Sequence, residues 1–169
     1  MAVSPKWRLS AFEYKIDFLI IPVLLGLALA GSRPAWLQLL FGLLGWTLAE
    51  YAAHRFALHR HFRQDHWAHH LAPHDYIGIS GLHIGFAYAL LLWPARLLGL
   101  QWAYAGFLLG YLAYVSVHYA LHRPHFCRGR LLSHLARHHA MHHQRGIEQN
   151  FGVTSPLWDV LCRTYSRSA

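Results

Sequence analysis

The stretch Glu50-Tyr51-Ala52-Ala53-His54-Arg55-Phe56-Ala57-Leu58-His59, followed after a short gap by His66-Trp67-Ala68-His69-His70, has a counterpart later in the chain. There His118-Tyr119-Ala120-Leu121-His122 is followed by His139-Ala140-Met141-His142-His143. Both copies carry Ala-Leu-His-Arg, at 57–60 and again at 120–123, so the chain contains an internal repeat. On a helix, residues at i, i+3 and i+4 share a face, so each HxxHH segment presents three imidazoles together, and His118 with His122 presents two. His54 and His59 are five apart and diverge on a regular helix. The helix is therefore expected to end or distort near them. Ten donors, His54, His59, His66, His69, His70, His118, His122, His139, His142 and His143, exceed the roughly six ligands that one ion takes and imply two metal ions. Neutral imidazole suits iron, zinc, copper and nickel, so ligand type alone does not select the metal. The other six histidines, His61, His74, His83, His125, His134 and His138, lack this spacing and read as packing or interfacial residues.

Each repeat closes an apolar hairpin. Apolar runs cover Ile16 to Ala30, Ala35 to Ala49, Ile79 to Trp93 and Leu97 to Val117, and Gly31-Ser32-Arg33-Pro34 and Trp93-Pro94 punctuate them where tight turns belong. In 169 residues, 55% are hydrophobic and only 13% charged, about half the usual quarter, which disfavours a freely soluble surface. The expected fold is an all-α integral membrane protein and a single domain over 1–169. Four transmembrane helices in two hairpins (about 16–30, 35–51, 79–94 and 97–117) carry a helical cap (54–76 and 118–169) with a histidine-rich dimetal site.

Thirteen of the fifteen basic residues lie before the first run, after the second or after the fourth; Arg33 and Arg96 are the exceptions. The positive-inside rule then puts both termini, the middle loop and all ten histidines on the cytoplasmic side. A competing reading takes residues 1–30 as a cleaved leader ending in Ala28-Leu29-Ala30. Glu13 and Asp17 crowd such a leader, and residue 1 is expected to be retained.

Several function classes fall away. The +8 formal charge forms no stripe on a soluble fold, so nucleic acid is not an expected partner. Cys127 and Cys162 are too few for a disulfide framework or a four-cysteine cluster, and no dinucleotide-binding glycine fingerprint is present. A transport path needs polar residues through the membrane, and the apolar runs hold almost none. An enzyme and a non-catalytic metal-binding membrane protein remain.

The sequence resembles the fatty acid hydroxylase and sterol desaturase superfamily of membrane di-iron enzymes over about residues 10 to 165. Glu50-Tyr51-x-x-His54-Arg55 is similar to the motif of its fatty acid hydroxylase branch. So are His118-Tyr119-x-Leu121-His122, His139-x-x-His142-His143, and the tail Asn150-Phe151-Gly152-Val153-Thr154-Ser155-x-Leu157-Trp158-Asp159. The resemblance implies that the ten histidines ligate two iron ions. It further implies that dioxygen is a co-substrate and that a lipid chain is hydroxylated beside the cytoplasmic membrane surface. Carotenoid-ring or sterol hydroxylases and desaturases of the same superfamily are alternatives, and the Asn150-to-Asp159 tail favours acyl chains.

Zinc cannot cycle between redox states, so an oxygenase here needs iron or a comparable redox-active metal, and zinc in purified material would misrepresent it because zinc binds nitrogen sites more tightly than ferrous iron. Electrons must come from an external NAD(P)H-dependent donor through a separate reductase or small redox carrier. The arginines after the fourth run suit an acidic carrier and anionic headgroups alike. The sequence sets no oligomeric state. Glu50, one helical turn before His54, is placed to orient an imidazole through its second nitrogen, and Asn150 and Asp159 are candidates for the same supporting role. Asp159 also falls in the first turn of a helix opened by Ser155 and Pro156. Trp67 is the one aromatic near the boxes expected to wall a substrate pocket.

Overall fold

The apolar runs become helices, with bounds shifted by a few residues. The computed structural model describes residues 7–126, 129–145 and 148–167, with only the backbone of Pro124 and Arg145. Among the basic residues counted above, Lys6 and Arg128 lie outside this set. In chain order the helices are α1 (Ala11–Lys15), α2 (Asp17–Leu29), α3 (Trp36–Ala52), a π-helical segment (Ala53–His61), α4 (Arg63–Leu71) and α5 (Gly81–Leu97). They are followed by α6 (Gln101–Leu121), a 3-10 turn (Pro124–Phe126), α7 (Arg130–Arg145) and α8 (Leu157–Leu161). Among the described residues no strand forms, and one antiparallel bridge joins Arg8 to Ile77. The protein is all-helical, as expected. One helix, α6, is long and apolar enough to cross a membrane by length and composition.

The chain divides into two units, Met1–Trp46 with Asp75–Leu112 and Thr47–His74 with Ala113–Ala169. In the first, a capping box starts α1: the Ser10 Oγ accepts from Glu13 N–H at 3.2 Å, and Glu13 Oε2 accepts from Ser10 N–H at 3.0 Å. Ser10 and Glu13 thereby each satisfy a donor that the helix start leaves open. The last carbonyls of α2 are taken by Arg96, whose Nη1 donates to Leu27 O at 2.6 Å and to Ala28 O at 3.3 Å. One turn differs from expectation. Pro94 lies inside α5, and the chain reverses instead at Leu98–Leu100, where Gly99 takes φ +68°. A helix tolerates proline near its end as long as the lost hydrogen bond is the only loss, whereas a positive φ suits glycine.

Glycine also decides how α3 meets the first part of α6. A Cβ built on Gly42 would collide with Ala103 O and lie 2.8 Å from Phe107 N, and one on Gly106 would collide with Leu39 O and lie 3.0 Å from Leu43 N. The two backbones touch where side chains would hold them apart, the small-residue packing used by helices in lipid. Trp46 then closes over Gly110 and stacks edge-on with Phe107 and Tyr111 at 5.2 and 5.1 Å. The outward face of this unit is strongly apolar, with Leu19, Val23, Leu37, Phe41, Phe86 and Leu90 all more than half exposed.

In the second unit the π segment follows α3 without a break, and its Ala53–His61 span contains both His54 and His59. Its i→i+5 register turns residues five apart onto one face, which is the distortion anticipated from their spacing. Their rings lie 4.9 Å apart. The polar tail after α7 packs as a loop closed by α8, over the buried core residues Tyr51, Phe151 and Val153.

Replacing Gly42 or Gly106 by Leu should lower the thermal unfolding midpoint sharply, by about 1–3 kcal/mol or more of stability per site, because neither facing backbone can retreat. Gly26→Ala, with nothing within 4 Å of the added methyl, should be neutral or slightly stabilising in the same melt.

Candidate metal centre

All ten spaced histidines gather in the second unit. His54 and His59 come from the π segment, His66, His69 and His70 from α4, His118 and His122 from the end of α6, and His139, His142 and His143 from α7. They form two groups. One ligand atom from each of His54, His59, His66, His70 and His142 lies within 4.8 Å of every other, and the same holds for His69, His122, His139 and His143. His118 adjoins the second group, its Nε2 3.1 Å from that of His122. The two HxxHH segments therefore do not each serve one group. His69 crosses to the second repeat's histidines, and His142 crosses to the first's.

Two backbone carbonyls set the tautomer of two rings in the first group. His54 Nδ1 lies 2.6 Å from Phe151 O, and His142 Nδ1 lies 2.7 Å from Gln149 O. A carbonyl only accepts, so each Nδ1–H donates and a neutral ring then carries a bare lone pair on Nε2. Those Nε2 atoms point at other imidazole nitrogens. His54 Nε2 is 3.0 Å from His66 Nε2, and His142 Nε2 is 3.1 and 3.2 Å from those of His70 and His59. In the second group His139 Nε2 stands 3.1 Å from both His122 and His143, while neither nitrogen of buried His69 has a hydrogen-bond partner. Converging lone pairs repel unless a cation lies among them. The donor set therefore fits a divalent metal in each group.

Protons cannot substitute for that cation. Burial, reinforced by neighbouring imidazoles, holds His54, His66, His69 and His139 well below the ordinary histidine range. The same causes bring His59 and His122 to about 3 and His70 to about 2. His142 falls to about 4 through burial, although its bond to Gln149 opposes the shift. Uncharged rings in a low-dielectric setting are the state a metal requires of them.

The supporting carboxylates act one step further out than their sequence positions imply. Glu50 does not orient His54. Its Oε1 accepts from Val153 N–H at 2.5 Å and Thr154 N–H at 2.9 Å, and Oε2 accepts from Thr154 Oγ1 at 2.6 Å. Asp159 accepts from Phe151 N–H at 2.9 Å, Gly152 N–H at 2.7 Å and Thr164 Oγ1 at 2.7 Å. It also pairs with His138 Nε2 at 3.2 Å. Burial alone would raise its carboxyl, and these donors together hold it low. Asn150 takes φ +57°, accepts from Ser166 N–H at 2.7 Å and donates to His138 O at 3.3 Å. The three side chains clamp the backbone whose carbonyls aim His54 and His142.

Sequence spacing left two contributors unseen. Phe151 and Gln149 work through main-chain oxygens, which no side-chain pattern reveals. His138, read as a packing residue, is 3% exposed and bonded to Asp159. Trp67 is 39% exposed and stacks on His70 at 5.6 Å. It is not among the residues lining the cavity of about 390 Å³ beside the second group, which is bounded by His70, Pro73, His122, His139, Ala140 and His143 among others.

An all-helical chain with two buried, uncharged imidazole clusters offers donor sets compatible with metal binding. Residues 39–164 match the fatty acid hydroxylase family, and the chain belongs to that family. It is 34% identical over 145 residues to fatty acid 2-hydroxylase of Rattus norvegicus, covering 73% of this chain and 38% of that one. Identity to the ceramide very long chain fatty acid hydroxylase of Saccharomyces cerevisiae is 33% over 165 residues, covering 83% and 41%. For the dihydroceramide fatty acyl 2-hydroxylase of Arabidopsis thaliana it is 36% over 145 residues, covering 73% and 58%. The chain thus spans between about two fifths and three fifths of these relatives. The solved structure of full-length scs7p, in which only the hydroxylase domain is visible, superposes with a TM-score of 0.60 at 26% identity, over 96% of this chain and 69% of that one.

The metal-free protein should lose stability as pH falls. Its histidines titrate below their ordinary value in the folded state, so between those values the unfolded chain binds more protons, and stability present near neutrality drains away through about pH 6.5 and below. Each fully buried ring adds about 1.4 kcal/mol per pH unit to that slope. Denaturant titrations of metal-stripped protein between about pH 7.5 and 5 would check this, and a midpoint rising with acid would contradict it.

Proposed function

We propose that this chain is an oxygen-dependent lipid hydroxylase with two iron ions held by the ten spaced histidines, acting on a long acyl chain presented from the membrane. The observation that carries the reading is the convergence of uncharged, buried imidazole lone pairs in a member of the fatty acid hydroxylase family. Relatives named as fatty acid and ceramide hydroxylases support an acyl substrate. Two redox-active ions held there would pass the external donor's electrons to dioxygen, so that one oxygen could enter a C–H bond and the other leave as water, which zinc, fixed in one oxidation state, would not do.

The protein's own groups do the positioning. His54 and His142 present their Nε2 atoms because the Phe151 and Gln149 carbonyls hold the opposite nitrogens. Phe151, fully buried, lies edge-on to His54 and His59 at 5.8 and 5.2 Å and keeps water from that side of the first group. Electrons arrive from an NAD(P)H-dependent donor through a separate reductase or carrier.

Membrane residence accounts for the apolar outer face of the first unit, since exposed large apolar residues in such numbers are a liability in water. In this reading α2, α3, α5 and α6 are four spans in two hairpins, with termini and histidines on the cytoplasmic side, following the basic-residue asymmetry. Helix α2 has 13 residues, about 20 Å at 1.5 Å per residue, and α3 and α5 have 17 each, about 25 Å, so the spans require a locally thinned bilayer and, for α2, flanking residues to complete the crossing. A substrate that stays in the bilayer then reaches the histidines near its polar end, which favours oxidation there over the chain terminus.

Iron-loaded protein in membranes, given a competent reductase, NADPH and labelled dioxygen, should place label in a hydroxylated acyl chain, and label from water should not appear. His69→Ala and His142→Ala should each reduce metal content and lower product by about a hundredfold or more, whereas His125→Ala should change neither. Oxidation confined to carotenoid rings, or no lipid change at full iron loading, would overturn the assignment. Reporter fusions after Arg33, His74 and Arg96 test the topology, and an external reading at His74 would refute it.

A further inference from the structure

We propose that the two metal positions are unequal in kind: the position ringed by His54, His59, His66, His70 and His142 is locked by the tail loop, and the one ringed by His69, His122, His139 and His143 exchanges its metal with water through the cavity beside α7. The proposal rests on reading the histidines as ligands of two metals, and deepens it.

Metal leaves a multidentate site stepwise, one ligand rotating away while water takes its place. In the first group two of five ligands resist that rotation. His54 and His142 are each tied to a tail carbonyl, at 2.6 and 2.7 Å. The carbonyls cannot follow the rings, because Asp159 holds the amides of Phe151 and Gly152 and Glu50 holds those of Val153 and Thr154. Asn150, bonded to Ser166 N–H at 2.7 Å, fixes the loop at its other side. The Phe151 ring occupies the space into which His54, His59 or His142 would swing, with centroids 5.8, 5.2 and 5.7 Å away.

Among the described residues the second group receives no bond from this loop. The Nδ1 atoms of His69 and His139 are buried without a hydrogen-bond partner, as are those of His59 and His70 in the first group, so the two loop-held rings, His54 and His142, are what set the first position apart. His143 is held by the backbone of His70. Three of its four histidines, His122, His139 and His143, line the cavity of about 390 Å³, whereas His70 is the one member of the first group that does. Each water occupies about 30 Å³, so the cavity admits several, together with an incoming ion or a small chelating group. Supporting hydrogen bonds of this kind change metal affinity by about 10–100-fold, the scale on which the two positions should differ.

The test is zinc release from protein loaded with zinc in detergent, read with a chromogenic chelator in excess. Two equal phases are expected, one metal per chain in each, with rates about tenfold or more apart. Ala140→Trp, which fills the cavity, should slow the fast phase and leave the slow one. Asn150→Ala and the milder Thr164→Val, which removes one bond to Asp159, should quicken the slow phase by about tenfold and leave the fast one. Two metals leaving at one rate would overturn the proposal. So would a fast phase indifferent to Ala140→Trp, or tail substitutions that act on the fast phase. Protein that loads with one zinc or none would instead overturn the two-metal reading on which the proposal stands.

Discussion

Everything in the second unit depends on lone pairs being forced together. Nine imidazoles, mostly buried, gather in two clusters where burial denies them protons, with His118 beside the second, and two of the rings have their tautomer set by carbonyls that can only accept. An arrangement that repels itself has to be imposed by the remaining fold, and its repulsion is what a divalent ion relieves. In the reading proposed above, folding and metal binding would be one linked equilibrium: binding energy released at the clusters would be stability for the helices that supply them.

The imposing is done by polar groups that hold the backbone of the tail loop. Glu50 and Asp159 together take four consecutive backbone amides, from Phe151 to Thr154, and Asn150 adopts a left-handed backbone to start the loop. A buried carboxylate is costly unless its oxygens are satisfied, and these two are satisfied by amides that would otherwise be orphaned. Each cost cancels the other. The result is a rigid loop whose carbonyls serve as fixed acceptors, more exacting than a side chain that could rotate. The first unit is built on a different constraint, the direct backbone contact of α3 and α6 at Gly42 and Gly106 beneath an apolar surface.

Much of this was legible beforehand. The four apolar runs, the repeat, the ten histidines and a distortion between His54 and His59 all follow from spacing, because helical periodicity is a local property. Trp93-Pro94 suggests a turn that the chain makes at Gly99 instead, since proline punctuates a chain less strictly than the positive φ that Gly99 provides. Glu50 and Asp159 were identified as supports, but their partners were not. A carboxylate one turn from a histidine gives no sign that it reaches residues a hundred positions later.

The sequence by itself determined which residues could bind metal, that they would be displayed on helix faces, and that apolar hairpins would alternate with polar segments. Only the tertiary structure decided how the histidines divide. Spacing keeps His66, His69 and His70 on one face and His139, His142 and His143 on another, yet the packing of α4 against α7 exchanges His69 and His142 between the clusters. Neither repeat completes a group from its own histidines. A face has two flanks, and which neighbour meets each flank is a property of helix packing, set by contacts distant in sequence and invisible to any period read along the chain.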